Sequence, residues 1–389
     1  MDARGLYRIP GPVQELLLKA ALGRGATAVA AWEQWKRQAD VDRLDADSQR
    51  LLPQLYLALH ARRASDPLMG LLKGFYRRTW YENQLLFHAM ARPLRSLHDA
   101  GIETMLLKGA ALTVTHYRDH GLRPMGDFDI LVRAHDAPEA IGLLEALGFA
   151  PSQAFGQAMH FRDAAGAELD LHWRLFPECP RDVDIDAECW EGAVPITVHG
   201  VSTRALNPAD QLLHVIAHGL VHGPLWAEVG TLLWPADAAA IVRASSAELD
   251  WDRVLAQARR CRLGLSVRVA LTYLREVLDV PIPVAVMDQA RKTPVSLAER
   301  IAHRARARPA RRWGPWLALC VAYVQYRSSL PADLGTLRTL AGVPGFFQRK
   351  WGLGHPWSLS CAALFRGTRR IAWAVSGARR YSRAGDGDG

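Results

Sequence analysis

The sequence predicts an α+β protein in which a small mixed sheet with flanking helices lies between helical N-terminal and C-terminal regions. Three observations predict it. Between Pro12 and about Leu97 apolar residues recur every three and four positions without strand-like alternation, as in VQELLLKAAL and NQLLFHAMARPLRSLHD. From Gly101 short apolar runs alternate with helical ones, the grammar of a sheet packed against helices. After Asn207 the period is helical again, to roughly Asp279.

Taken in order, the first region holds VQELLLKAAL, TAVAAWEQWKRQ, DSQRLLPQLYLALHARR and a long stretch from Pro67, all helical. IETMLLKG then reads as a short strand, AALTVTHY as a helix, DFDILV as a strand and DAPEAIGLLEALGF as a helix capped by Asp136. AMHFRD and AELDLHWRL flank the Ala164-Ala165-Gly166 turn and predict an antiparallel hairpin; ITVHGVSTRAL is a second candidate hairpin. Asn207-Pro208-Ala209-Asp210 opens a helix, and Pro281 and Pro283 end the helical text that follows. The expected units are a helical region at 1–99, an α/β core at 100–206, a helical region at 207–293 that completes the cleft, and a basic helical region at 294–389 with a frayed tail.

Length and composition agree. A chain of 389 residues, 49% hydrophobic and 22% charged, buries a sizeable core in more than one unit, which excludes disordered, collagen-like and disulfide-stapled classes. The five cysteines are scattered without a C-x-x-C pair, which predicts free thiols in a reducing cytoplasm and argues against a disulfide framework. The N-terminus has no apolar run of signal-peptide length, and the apolar run Trp316 to Tyr326 is too short to span a bilayer. Charge is uneven: from Ser296 onward there are 16 Lys and Arg against 4 Asp and Glu, and 32 against 35 in the rest. Such a segment attracts nucleic acid or another anionic surface, or is simply a solvated helix face.

The most informative segment runs from Lys108 to Val132. In a strand, Asp127 and Asp129 point to one side while Phe128 and Ile130 point to the core. Adjacent like charges repel, and a sheet keeps them together most simply through a divalent cation. Glu168-Leu169-Asp170-Leu171-His172 repeats the pattern, with Glu168, Asp170 and His172 on one face, so a neighbouring strand can bring Asp170 to the same metal. Oxygen ligation of this kind suits Mg²⁺ or Mn²⁺ and phosphoryl or nucleotidyl transfer. The plainer alternative is that the aspartates cap a turn or pair with Arg123 or Arg133. Lys108 offers a point charge to a triphosphate, and Gly109 a close approach to the backbone.

These residues carry a resemblance. LLKGAAL, then YRDHGLRPMGDFDILV, a helix ending in LGF and a hairpin with ELDLHWRL resemble the uncharacterised bacterial nucleotidyltransferase-like family of the polymerase-β nucleotidyltransferase superfamily, from about Gly101 to Val242. The resemblance implies a nucleotidyltransferase-type sheet, with Gly109 as the loop glycine, Asp127 and Asp129 as paired metal ligands and Asp170 as the third carboxylate. Ala110 stands where Ser or Gly is usual, and the gap from Gly109 to Asp127 is longer than in typical members, so either Lys108 compensates for a missing hydroxyl or the nucleotide is held differently.

The implied reaction is transfer of an NMP group from an NTP to an acceptor hydroxyl, with Asp127, Asp129 and Asp170 holding Mg²⁺ or Mn²⁺ and Lys108, Gly109, Ala110 and Arg123 at the nucleotide. The acceptor is unidentified; a small molecule and a peptide natural product are the candidates, the latter because relatives that this chain resembles occur with peptide natural-product machinery. Two alternatives stay open: a phosphotransferase using the same metal site, and a peptide- or RNA-binding scaffold acting through the basic C-terminal region.

Other candidates are weaker. His214, His218 and His222 lie on one helix face, where zinc ligation with His172 or Asp237 is conceivable, but ligands on successive turns of one straight helix rarely converge. The expectation is that His172, His218 and Asp237 are buried polar groups or line the acceptor side. Trp173, Trp190, Trp226 and Trp234 read as core. No complete Walker motif, nucleophile elbow, H-E-x-x-H or dinucleotide fingerprint occurs.

Overall fold

A computed structural model describes residues 10–155, 157–177, 179, 183–221, 232–296, 299–300 and 303. Four helices come first: α1 (Pro12–Leu22), α2 (Gly25–Gln38), α3 (Ala46–Ala61) and α4 (Met69–Asp99). Pro12 sits in the first turn of α1, where its missing N–H costs nothing, and Asp45 caps α3 by accepting the Ser48 N–H at 2.8 Å. Helix α4, at 31 residues, is long enough to reach from this helical layer across the sheet.

The chain then runs through β1 (Thr104–Leu106), α5 (Lys108–Leu112), a π-helical turn at Thr113–Tyr117, β2 (Phe128–Val132), α6 (Ala137–Ala146), β3 (Ala150–Phe155), β4 (Ala158–Arg162), β5 (Glu168–His172), α7 (Ile185–Glu191), β6 (Val194–Val198) and β7 (Val201–Ala205). Helices α8 (Pro208–Leu220), α9 (Leu233–Ala244), α10 (Trp251–Arg260), α11 (Gly264–Glu276) and α12 (Val284–Lys292) follow. Both expected hairpins form, as β4–β5 and β6–β7. Strand β3 and helix α7 go beyond the sequence reading. APSQAF lacks apolar alternation and is a strand because it pairs with β4 at the sheet edge, where Pro151 is tolerated. Asp184 caps α7 through the Ala187 N–H. Asp136 occupies the N-cap of α6 but makes no side-chain cap bond.

The strands form one mixed sheet in the order β3-β4-β5-β2-β1-β7-β6, with β2 parallel to β5 and β1 parallel to β7. One face buries Phe128, Ile130, Val132, Phe161, Leu169 and Leu171 against Phe87, Met90 and Leu94 of α4 and Ala140 and Leu144 of α6. Phe87 meets Phe128 edge-on at 5.3 Å. Each large side chain buried there stabilises the fold by about 1.5–3 kcal/mol, so the alternation in β2 and β5 dictates which way the carboxylates face. On the opposite face Met105, Leu107 and Leu131 join a larger core with α1, α2, α3, α8, α9, α10 and α11. Asn207 opens α8 by accepting the Ala209 and Asp210 N–H groups, and Asp210 takes a bidentate pair from Arg253 of α10 at 2.7 and 2.8 Å.

The cysteine expectation needs correcting. Cys179, after β5, and Cys261, after α10, form a disulfide between residues 82 apart in sequence, while Cys189 is a buried free thiol. A partner that distant leaves no spacing signature. Among the described residues no helix is long and apolar enough to cross a membrane. Trp226, His222, Cys320, Cys361, the Trp316 to Tyr326 run and nearly all of the basic C-terminal region lie outside the described residues.

Candidate active site

The site is a row of side chains written across three strands. In the parallel pair β2/β5, Asp129 stands opposite Asp170 and Leu131 opposite His172; in the antiparallel pair β4/β5, His160 stands opposite Asp170. The leucines between them are fully buried on the other face, so Asp170 and His172 must emerge beside Asp129. His172 Nε2 donates to Asp129 Oδ1 at 2.9 Å, and His160 Nδ1 donates to Asp170 Oδ1 at 2.5 Å. Ligating atoms of Asp129, Asp170 and His172 all lie within 4.8 Å of one another.

Lys108 reaches this row from the end of β1, where the Leu107 N–H donates to the Asp129 carbonyl. Its Nζ lies 2.6 Å from Asp129 Oδ1. The Lys108 backbone is left-handed, with φ +45°, a conformation that costs a non-glycine residue about 1 kcal/mol and aims its side chain at the strands. Asp129 is 2% exposed. Burial by itself would push its carboxyl up, but the Lys108 charge and the His172 hydrogen bond hold it well below the ordinary carboxylate range. Burial likewise pulls Lys108 down, and the charges of Asp129 and Asp127 more than offset it. The buried row is therefore fully ionised at Asp129 and Lys108.

Asp127 stands just before β2, partly exposed, and is not among the ligand atoms that meet within 4.8 Å. The neighbouring charge of Asp129, then burial, raise its proton affinity. The paired aspartates thus differ: Asp129 is the buried, fully ionised member, and Asp127 is the more basic carboxylate at the rim.

The expected nucleotide residues are placed unevenly. Gly109 and Ala110 are buried in α5. The close approach that Gly109 permits is taken by Arg123 and Met125: a Cβ there would fall 2.5 Å from Arg123 Nη1 and 2.7 Å from Met125 Cγ. Arg123 pairs not with Asp127 but with Asp237 of α9, through Nη2 to Oδ2 at 3.1 Å and Nε to Oδ1 at 3.4 Å. Tyr117 donates to the same carboxylate at 2.8 Å and receives the Gln54 amide of α3 at 3.2 Å. Asp237 is therefore the hub of a buried network that ties α3, the π-helical turn and α9 together behind α5. Tyr117 and Gln54 carried no local signal.

The histidines of α8 do not join the metal-type cluster. His214 is buried, edge-on to the Phe176 ring at 5.8 Å and 6.4 Å from the His218 ring. Among the described residues, neither meets two further ligand groups. His116, on the π-helical turn, donates to Gln211 of α8 at 2.9 Å, and burial lowers its proton affinity.

A family model described as uncharacterised nucleotidyltransferase matches residues 39–279, from before α3 to the end of α11. No curated protein matches the sequence. Among solved structures, the solution structure of the antibiotic-resistance factor ANT(2'')-Ia is similar with a TM-score of 0.35 and 10% identity, covering 50% of this chain and 98% of that one. The crystal structure of an antigenic nucleotidyltransferase-like protein from Paracoccidioides brasiliensis is similar with a TM-score of 0.35 and 15% identity, covering 55% of this chain and 94% of that one.

Proposed function

The chain belongs to the uncharacterised nucleotidyltransferase family, and from that membership we propose that it transfers an NMP group from an NTP to a hydroxyl of a small-molecule or peptide acceptor. One observation carries the site assignment: two carboxylates and an imidazole, from Asp129, Asp170 and His172, converge within 4.8 Å. That donor set fits a divalent cation, and the imidazole tilts it from Mg²⁺ toward Mn²⁺. Asp129, Asp170 and His172 would hold it, the cation taking the place of the proton that His172 shares with Asp129. A cation bound there supplies charge neutralisation of the polyphosphate and of the oxygens that enter and leave phosphorus.

The protein's own groups do the rest. In the reaction the acceptor oxygen bonds to the α-phosphorus, the bond from that phosphorus to the bridging oxygen breaks, and pyrophosphate departs. Asp127, the more basic carboxylate and the one at the rim, is placed to take the hydroxyl proton. Lys108, within 2.6 Å of Asp129, keeps a positive charge where phosphate oxygens would arrive. The network of Asp237, Arg123, Tyr117 and Gln54 holds α5 against the strands. His160 orients Asp170.

The test is calorimetry of each NTP with Mn²⁺ or Mg²⁺ against wild type and Asp129→Asn/Asp170→Asn, followed by an acceptor screen read by product mass. Metal-dependent binding lost in the double variant, and products heavier by an NMP, support the reading. Products heavier by a phosphate alone would replace it with phosphoryl transfer, and nucleotide binding indifferent to both aspartates would remove the site.

A further inference from the structure

Among the described residues the charges of Lys108, Arg123 and Arg50 all act on Asp127, and two of these cations are matched. Lys108 pairs with Asp129 and Arg123 with Asp237. The third is Arg50, on α3, outside the segment that the sequence reading treated as chemical. Three side chains one turn apart define the face of α3 that it shares. Asp47 accepts the Leu232 N–H at the start of α9 at 3.3 Å, and Gln54 donates to Tyr117 at 3.2 Å. Residues 47, 50 and 54 lie on one helix face, so the face carrying Arg50 is the one that meets the start of α9 and the π-helical turn.

Arg50 is partly buried there, yet no described carboxylate lies within ion-pair distance and its guanidinium donates no hydrogen bond to a described residue. Burial and the Arg123 charge lower its proton affinity, and the more distant charges of Asp47, Asp127 and Asp237 only partly compensate. A guanidinium carries five donors in a fixed fork; those of Arg50 are not among the buried side-chain atoms without a partner, so they meet solvent and an arriving oxyanion can take the place of water there.

Building on the nucleotidyltransferase reading, we propose that Arg50 is an oxyanion anchor that receives phosphate oxygens of the NTP polyphosphate. Lys108 shares its charge with Asp129 and Arg123 with Asp237, so alongside Lys108 an incoming polyphosphate finds in Arg50 a charge with no carboxylate partner among the described residues. The fork of Arg50 suits two oxygens of one phosphate, or one from each of two. The helical N-terminal region would then contribute a binding residue, and α3 would sense whether the polyphosphate is present.

The experiment is calorimetry on the full chain with inorganic tripolyphosphate, ATP with Mn²⁺, AMP and adenosine, comparing wild type, Arg50→Gln, Arg50→Lys and Asp129→Asn, with thermal melts to establish that each variant is folded. Arg50→Gln should weaken tripolyphosphate and ATP about tenfold or more while leaving adenosine unchanged. Arg50→Lys should recover part of the loss, because it restores charge without the fork. Unchanged affinity for both polyphosphates in Arg50→Gln, or no binding of tripolyphosphate by wild type, overturns the proposal. A parallel loss for adenosine would also overturn it, since the defect would then be general. If tripolyphosphate binds in an Arg50-dependent way but no nucleotide binds, the anion site stands and the nucleotidyltransferase reading fails. If ATP binding needs Asp129 but not Arg50, that reading stands and this proposal fails.

Discussion

Asp129 and Asp170 stand directly opposite each other on parallel strands, and the Lys108 ammonium lies 2.6 Å from the buried Asp129 carboxylate. Pairing and burial together make Asp129 both the centre of the site and a structural counter-charge. Asp129→Asn should therefore abolish metal-dependent nucleotide binding and also destabilise the fold, by about 1–3 kcal/mol, because Lys108 loses its partner. In Asp129→Asn/Lys108→Met the stability, read by urea titration, should return while nucleotide binding does not. Recovery of both together would mean that Asp129 acts only as a counter-charge.

His172 gives the cluster its imidazole. His172→Asn should weaken Mn²⁺ more than Mg²⁺, since a nitrogen donor favours the softer ion, and should do so without NTP present. Direct metal titration checks this; an equal loss for both ions would assign His172 to orienting Asp129 and not to ligation.

Gly109 is held to its size by Arg123 and Met125. Gly109→Ala should cost about 1–3 kcal/mol, read as a lower melting temperature. Met125→Ala in the same chain should relieve part of it, whereas a pure backbone effect would ignore that second change.

Asp186 sets a pH dependence away from the site. Burial pushes its carboxyl up from 3.8 to about 6, against the Leu175 N–H that it accepts. A carboxyl whose folded value is raised contributes stability that is full below its ordinary value and is lost as pH rises through about 6. Asp186→Asn should melt with wild type near pH 4 and above it near pH 8, by about 2–3 kcal/mol at most. Coincident melts at the higher pH would show that the ionised carboxylate is not penalised.

The Cys179–Cys261 disulfide closes a loop between residues 82 apart, for which chain-entropy arguments give about 4–5 kcal/mol as an upper figure. Cys261→Ser should lower non-reducing stability markedly, and dithiothreitol should bring wild type down to the variant. A melt indifferent to dithiothreitol would mean that these two thiols are not joined in solution.

Much of this was legible locally. The alternation in DFDILV and ELDLHWRL places Asp129, Asp170 and His172 on definite faces, and Asn207 announces α8. What local patterns do not carry is which strand lies next to which. The parallel pairing of β2 with β5 brings His172 to Asp129, and packing of α3 and α9 behind α5 gives Arg123 its partner Asp237. Gln54 and Tyr117 sit in ordinary helical text and acquire meaning through contacts tens of residues away. The disulfide and the edge strand β3 were hidden for the same reason.

The row from His160 through Asp170 to Asp129 makes the candidate site hostage to strand registration. A one-residue slip of β5 against β2 would turn Leu169 and Leu171 outward and drive Asp170 into the apolar layer beneath α4. A misaligned sheet could not keep a weakened site; it would lose the proposed metal cluster and the core together. Titration of the metal is thus also an assay of folding fidelity, and a single-residue insertion should be tolerated in the Ala164–Gly166 turn but not within β5.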